Sequence, residues 1–147
     1  MDLKFQVVAR VARPVAEVFD AVYNPDKLNG YFTTAGASAP LDPGTTVTWE
    51  FADFPGPFPI QVLEVVPECA ITFTWPAAKG GAETRVEMEF EPLDEGSTMV
   101  RIRESGWHPT QDGLDASYDN CSGWTQMAAC LKLYCEEGRN FRDGYFM

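Results

Sequence analysis

Glu83-Thr84-Arg85-Val86-Glu87-Met88-Glu89-Phe90-Glu91, followed after Leu93-Asp94-Glu95-Gly96 by Thr98-Met99-Val100-Arg101-Ile102-Arg103-Glu104, is the stretch on which the fold turns. In the first arm Thr84, Val86, Met88 and Phe90 alternate with acids and Arg85. In the second, Thr98, Val100 and Ile102 alternate with Met99, Arg101 and Arg103. A period of two residues is the mark of a half-buried strand. Two such arms around a short turn predict an antiparallel hairpin with one face on a core and the other in water. A turn centred near Glu95 sets Glu87 across from Arg103 and Glu89 across from Arg101. A slip of two residues still places glutamates opposite arginines. The charge matching supports the pairing of the two arms, although each exposed pair contributes only about 0.2–1 kcal/mol.

Upstream, Leu3, Phe5, Val7, Ala9 and Val11 alternate as a first strand. Pro14 suits the opening turn of a helix, and Val15, Val18, Phe19 and Val22 follow at helical spacing. Asn24-Pro25 ends that helix, with a second short turn expected over 26–29 and a stop at Gly30. After the turn Pro40 to Gly44, Val47, Trp49 and Phe51 share one face of a strand. Pro55, Pro57 and Pro59 predict an irregular connection. A strand is expected over 60–66, then a turn at Pro67-Glu68, then a strand marked by Ile71, Phe73 and Trp75. Downstream, a loop is expected over 105–115 and a helix over 117–137. In that helix Cys121, Trp124, Ala128, Leu131 and Cys135 make one stripe, and Gly138 stands where a left-handed C-cap belongs.

Composition narrows the function classes. The 147 residues are 45% hydrophobic and 13% aromatic, which suits one domain spanning 1–147 with one core. Against 22 acids stand 11 Lys and Arg, a net charge of -11. Such a field repels nucleic acid and anionic membranes. The N-terminus Met1-Asp2-Leu3-Lys4-Phe5 lacks an apolar leader core, and no apolar run approaches the roughly 20 residues of a membrane span; a cytoplasmic protein without membrane insertion is expected. No two of Cys69, Cys121, Cys130 and Cys135 form a C-x-x-C pair, and there is one histidine, so neither a metal site nor a cofactor is expected. Cys121 and Cys135 would lie about 21 Å apart along a helix at a rise of about 1.5 Å per residue, beyond disulfide reach. Buried, reduced thiols are expected.

The order strand, two helices, five strands and one long terminal helix resembles the START-like superfamily, also called SRPBCC, which includes the birch pollen allergen. Local sequence sharpens the likeness. Pro14-Val15-Ala16-Glu17-Val18-Phe19 is similar to the helix start of that superfamily. Val62-Leu63-Glu64-Val65-Val66-Pro67-Glu68 with Ile71-Thr72-Phe73-Thr74-Trp75 is similar to one of its hairpins. Glu104-Ser105-Gly106-Trp107, Gly123-Trp124 and Leu131-Lys132-Leu133-Tyr134 resemble the heat-shock-protein-90 ATPase activator homologue family. Tyr31-Phe32 stands where that family usually has a tryptophan, and the tail from Gly138 to Met147 runs past the usual helix end. The resemblance implies an α+β helix-grip fold: a curved antiparallel sheet around a long C-terminal helix, with an internal cavity.

Trp49, Phe51, Phe73, Trp75, Met88, Phe90, Ile102, Trp124 and Ala128 are the candidate lining of that cavity. Glu104 joins them because parity with Val100 and Ile102 turns it inward, where a carboxylate is costly unless bonded. It is either the polar anchor of a ligand or a general acid/base. No nucleophile–histidine–acid spacing, phosphate loop or metal-ligand cluster occurs, and no catalytic residue is nominated. The expectation is non-catalytic binding of a small apolar, aromatic or lipid-like molecule. The alternatives are a chaperone-regulating interaction protein and a cyclase- or hydrolase-like enzyme using Glu104 with His108 or Tyr118. A monomer or weak dimer is expected. Alkylation under denaturing, non-reducing conditions should modify all four thiols of fresh protein; intact mass reads the number, and fewer than four contradicts the reduced assignment.

Overall fold

The computed structural model describes residues 1–146. The predicted hairpin forms as β6 (Glu83–Asp94) and β7 (Ser97–Trp107), with Glu87 opposite Arg103 and Glu89 opposite Arg101. The ion pairs run on the diagonal: Arg103 reaches Glu89 at 2.7 Å and Arg101 reaches Glu91 at 2.8 Å. Long side chains span that diagonal readily. On the other face Val86, Met88, Phe90, Val100 and Ile102 are all buried.

Around this hairpin the chain builds one seven-stranded antiparallel sheet in the order β1-β7-β6-β5-β4-β3-β2. Its other strands are β1 (Leu3–Val11), β2 (Gly36–Ala37), β3 (Thr46–Phe51), β4 (Phe54–Val66) and β5 (Ala70–Pro76). Between β1 and β2 lie α1 (Val15–Tyr23) and α2 (Pro25–Leu28). The long α3 (Gln111–Glu137) closes the chain's regular structure. It lies across the apolar face, and Trp124, Met127, Ala128, Cys130 and Leu131 enter the core. This is the expected helix-grip architecture. Gly138 caps α3 in the left-handed region at φ 67°, as the sequence predicts.

Four local expectations change. β2 is a two-residue edge strand that no periodicity announces. β4 begins at Phe54, so the three prolines lie inside a strand rather than a connection. Val62 N donates to Thr45 O on the β3 side, so by alternation Pro59 turns toward the other edge, while Pro57 and Pro55 lie in the irregularity between Phe58 and Phe54 where the register shifts. β5 pairs only with Gln61 and later residues, and an unpaired edge is where a residue without N–H fits. β7 continues through Glu104 to Trp107, with a register shift where Gly106 adopts φ 110°. The bulge falls after Glu104 and leaves its parity intact. Last, α3 starts six positions earlier than 117, at Gln111. Thr110 caps it by accepting from Gly113 N at 3.1 Å, and a methyl group on Gly113 would overlap the His108 carbonyl. The first turn therefore sits directly on the end of β7.

The four cysteines are free. Cys130 is buried, Cys121 and Cys135 are half-buried, and Cys69 is exposed, contrary to the expected burial of all four. Cys69 follows the tight turn at Glu68, a non-glycine residue at φ 62°, which lifts the β4–β5 corner into solvent. Burial pushes the Cys130 thiol up and the Cys135 thiol up to about 11.

After α3 the tail folds back on the β3–β4 hairpin. The Arg142 guanidinium grips both Asp53 carboxylate oxygens at 2.6 and 2.7 Å, and the two side chains are only 4% and 9% exposed. Phe146 meets Phe54 edge to face at 5.9 Å. The bidentate bond from Arg142 lowers the Asp53 carboxyl below its ordinary 3.8. A depressed carboxyl stabilises the fold above its unfolded value and loses that contribution as pH falls through the folded one. Arg142→Gln should therefore cost about 1–3 kcal/mol near neutrality, and its deficit in thermal midpoint should shrink below pH 3.8. A deficit that does not change with acid would remove this pair from the account.

Candidate ligand-binding interior

The curved inner face of β3 to β5 carries alternate large aromatics because their parity faces α3. Trp49 and Phe73 are fully buried, Trp124 is 2% exposed, and Trp75 is half-buried. The rings interlock: Trp49 meets Phe73 at 5.3 Å and Trp75 at 6.0 Å, and Trp75 meets Trp124 at 5.5 Å. Phe32, from the segment after α2, packs against Trp49, Phe51 and Trp124. It stands in the Tyr31-Phe32 pair noted above. The half-buried Phe51, Phe58 and Trp75 form the outer border of this cluster. The space expected to be a cavity is thus largely occupied by rings. Met88, Phe90, Ile102 and Ala128 are buried in the same core, with Phe90 farther along against Phe19 at 5.4 Å.

Glu104 sits at the inner surface, 1% exposed. Its carboxylate accepts from Trp75 Nε1 at 2.9 Å, Thr84 Oγ1 at 2.6 Å, Trp124 Nε1 at 2.8 Å and Asn120 Nδ2 at 3.0 and 3.1 Å. Two indoles, an amide and a hydroxyl thus direct their donors at one carboxyl group, which works as an acceptor. No lysine or arginine pairs with it among the described residues. Neutral donors alone satisfy the buried charge.

Three of these partners were legible in part. Trp75 and Trp124 were nominated as lining, and Thr84 shares the inward parity of Val86. Asn120 was missed, although it stands four residues before Trp124, one turn away on the same helical face. His108 and Tyr118, the partners expected for a catalytic Glu104, are both exposed and make no hydrogen bond to it. In contrast to the saturated Glu104, Trp49 Nε1 is buried with no acceptor among the described residues. Those residues hold no cluster suited to a metal ion and no helix long and apolar enough to cross a membrane.

A seven-stranded sheet gripping one long helix, with an aromatic interior between them, defines a helix-grip protein of the START-like class. The chain belongs to the family described as activator of Hsp90 ATPase homolog 1-like protein, whose model matches residues 12–136. No curated protein matches it. Among solved structures it is similar to DynU16, a protein of the dynemicin biosynthetic locus, at 26% identity and a TM-score of 0.83. That match covers 97% of this chain and 50% of DynU16, so the chain spans half of that protein's length. It is also similar to the Aha1 dimer from Colwellia psychrerythraea, at 20% identity and a TM-score of 0.76 over 93% of this chain and 98% of the other. Protein MLL2253 from Mesorhizobium loti shares 22% identity and a TM-score of 0.76, over 88% and 93%.

Two substitutions test this interior. Trp124→Ala should cost about 3–5 kcal/mol, since it leaves a cavity and also removes a donor to Glu104. Glu104→Gln keeps the shape but sets an amide N–H₂ among four donors, and should cost about 1–3 kcal/mol. Chemical denaturation reads both; a Glu104→Gln protein as stable as the wild type would show that the charge is not what the four donors serve.

Proposed function

We propose that this chain binds a small, mostly apolar molecule carrying one hydrogen-bond acceptor, without catalysis, in the aromatic interior between the sheet and the N-terminal half of α3. The observation that carries the reading is Trp49. A buried indole N–H without an acceptor is costly, and an acceptor on a guest would satisfy it. Glu104 is already saturated, so it shapes the site and is not free to anchor the guest. Entry runs past Phe51, Phe58 and Trp75, the half-buried rings at the cluster's border, which must part because the interior is filled. A ligand-binding role for the START-like class supports the reading, as does the likeness to a protein of a biosynthetic locus. Trp49, Phe51, Phe73, Trp75 and Trp124 would touch the guest, while Met88, Phe90, Ile102 and Ala128 back the site.

The family description favours a second reading, regulation of a chaperone ATPase through a protein surface. The two are distinguished by adding the chain to Hsp90 and following ATP turnover. For the first reading, Nile red, a neutral dye with a carbonyl acceptor, is the probe. Titration should give saturable, blue-shifted emission. Trp49→Phe removes the donor, keeps an aromatic ring and should weaken binding about tenfold, the worth of about 1.4 kcal/mol. Absence of saturable uptake, together with native mass spectra that retain no apolar molecule, would overturn it.

A further inference from the structure

The open depression of about 690 Å³ between α1 and the β4–β5 turn lies outside the aromatic interior. Its volume falls in the range of about 300–1,000 Å³ typical of small-molecule sites. Phe19, Tyr23, Pro43 and Val65 give it apolar walls, and the Phe19 and Tyr23 rings stack at 5.8 Å with an angle of 15°. Four carboxylates, Glu17, Asp20, Asp42 and Glu68, stand around those walls.

Among the described residues only one cation, Lys27, lines the same depression, and its ammonium is committed to Asp20 at 2.6 Å. Glu17 has a distant partner in Arg13 at 3.8 Å. Asp42 and Glu68 have no Lys or Arg partner among the described residues; Asp42 accepts instead from the Tyr23 hydroxyl at 2.5 Å. The walls are therefore apolar and aromatic while the surrounding charge is negative and only partly neutralised. An anionic guest would be repelled, and a neutral one would leave the carboxylates unanswered. A cation with an apolar body meets both features: its body covers the walls and its ammonium answers the charge of Asp42 and Glu68.

We propose that this depression is a binding site for a small organic cation, an amine on an alkyl or aryl body, independent of the interior site. Dansylcadaverine, a primary amine on a fluorescent aromatic body, is the probe, and neutral dansyl amide is its control. At low salt the intact chain should bind dansylcadaverine saturably and at least tenfold more tightly than dansyl amide. Salt near 0.5 M should weaken the binding by screening exposed charges. The double variant Asp42→Asn, Glu68→Gln should lose at least tenfold. Ala16→Trp, at an exposed helical position lining the depression, should also lose at least tenfold by filling the space without altering charge, and circular dichroism checks that both variants stay folded. Trp49→Phe should leave this binding unchanged. Equal affinity for the neutral control, retention within twofold in both depression variants, or loss in Trp49→Phe alone would overturn the proposal. So would displacement of the probe by tetralysine but not by hexylamine, which would assign the surface to a polycation.

Discussion

One buried carboxylate connects the parts of this fold that periodicity alone leaves separate. Glu104 belongs to β7, yet its bonds reach β5 through Trp75, β6 through Thr84 and α3 through Asn120 and Trp124. An ionised group at 1% exposure would be ruinous if unbonded. The chain meets that demand with neutral donors rather than a counter-ion. A lysine or arginine would bring its own desolvation cost into the core. Two indoles, a hydroxyl and an amide supply donors while keeping the surroundings largely apolar and aromatic. The consequence is directional: α3 has one rotation and one height at which Asn120 and Trp124 both reach the carboxylate. Apolar packing alone would tolerate small slides of a helix over a sheet; this cage does not.

The same constraint explains why the bulge at Gly106 matters. A shift before Glu104 would have turned the carboxylate to solvent, because side chains change face with each single-residue slip. Placed two residues later, the shift instead redirects the chain. Trp107 is buried against Phe5 and Leu3, and the chain turns into α3 through Pro109 and the Thr110 cap. Gly113 then permits the first helical turn to rest on the His108 carbonyl. The start of α3, the end of β7 and the cage are one joined piece of geometry.

Much of this was readable from residues. The β6–β7 pairing followed from the charge pattern and its register from a turn centred near Glu95, the inward direction of Glu104 followed from parity, and the Trp124 stripe and Gly138 cap followed from helical spacing. What stayed hidden has physical causes. β2 is two residues long, too short for a period. The prolines of β4 look like breakers, because a sequence does not reveal that β5 stops short of them. Asn120 reads as a polar helix residue until the carboxylate sixteen positions earlier is seen beneath it. The Asp53–Arg142 pair joins residues 89 positions apart, and nothing local marks either one. Spacing reports what an element presents to its neighbours; it does not report which distant partner arrives.

That difference also separates the two places where a guest could sit. In the interior, the polar groups of the cage are spent on each other, while the indole N–H of Trp49 has no acceptor among the described residues. Selectivity there must come from shape and from a single acceptor, and admission requires rings to move. Tight interlocking of Trp49, Phe73, Trp75 and Trp124 makes such movement cooperative, since no ring can turn without its neighbours. At the α1 depression the reverse holds. The walls are open, no core side chain has to be displaced, and the unanswered quantity is charge. A guest there would be chosen by electrostatics that salt can screen, whereas one in the interior would be chosen by packing that salt leaves largely unaffected. Because Phe19 forms a wall of the depression and also packs edge to face on Phe90 in the core, the two places share a physical border. Tyr23 and Val65, also walls of the depression, pack against the same core, so that border is made by three side chains rather than one.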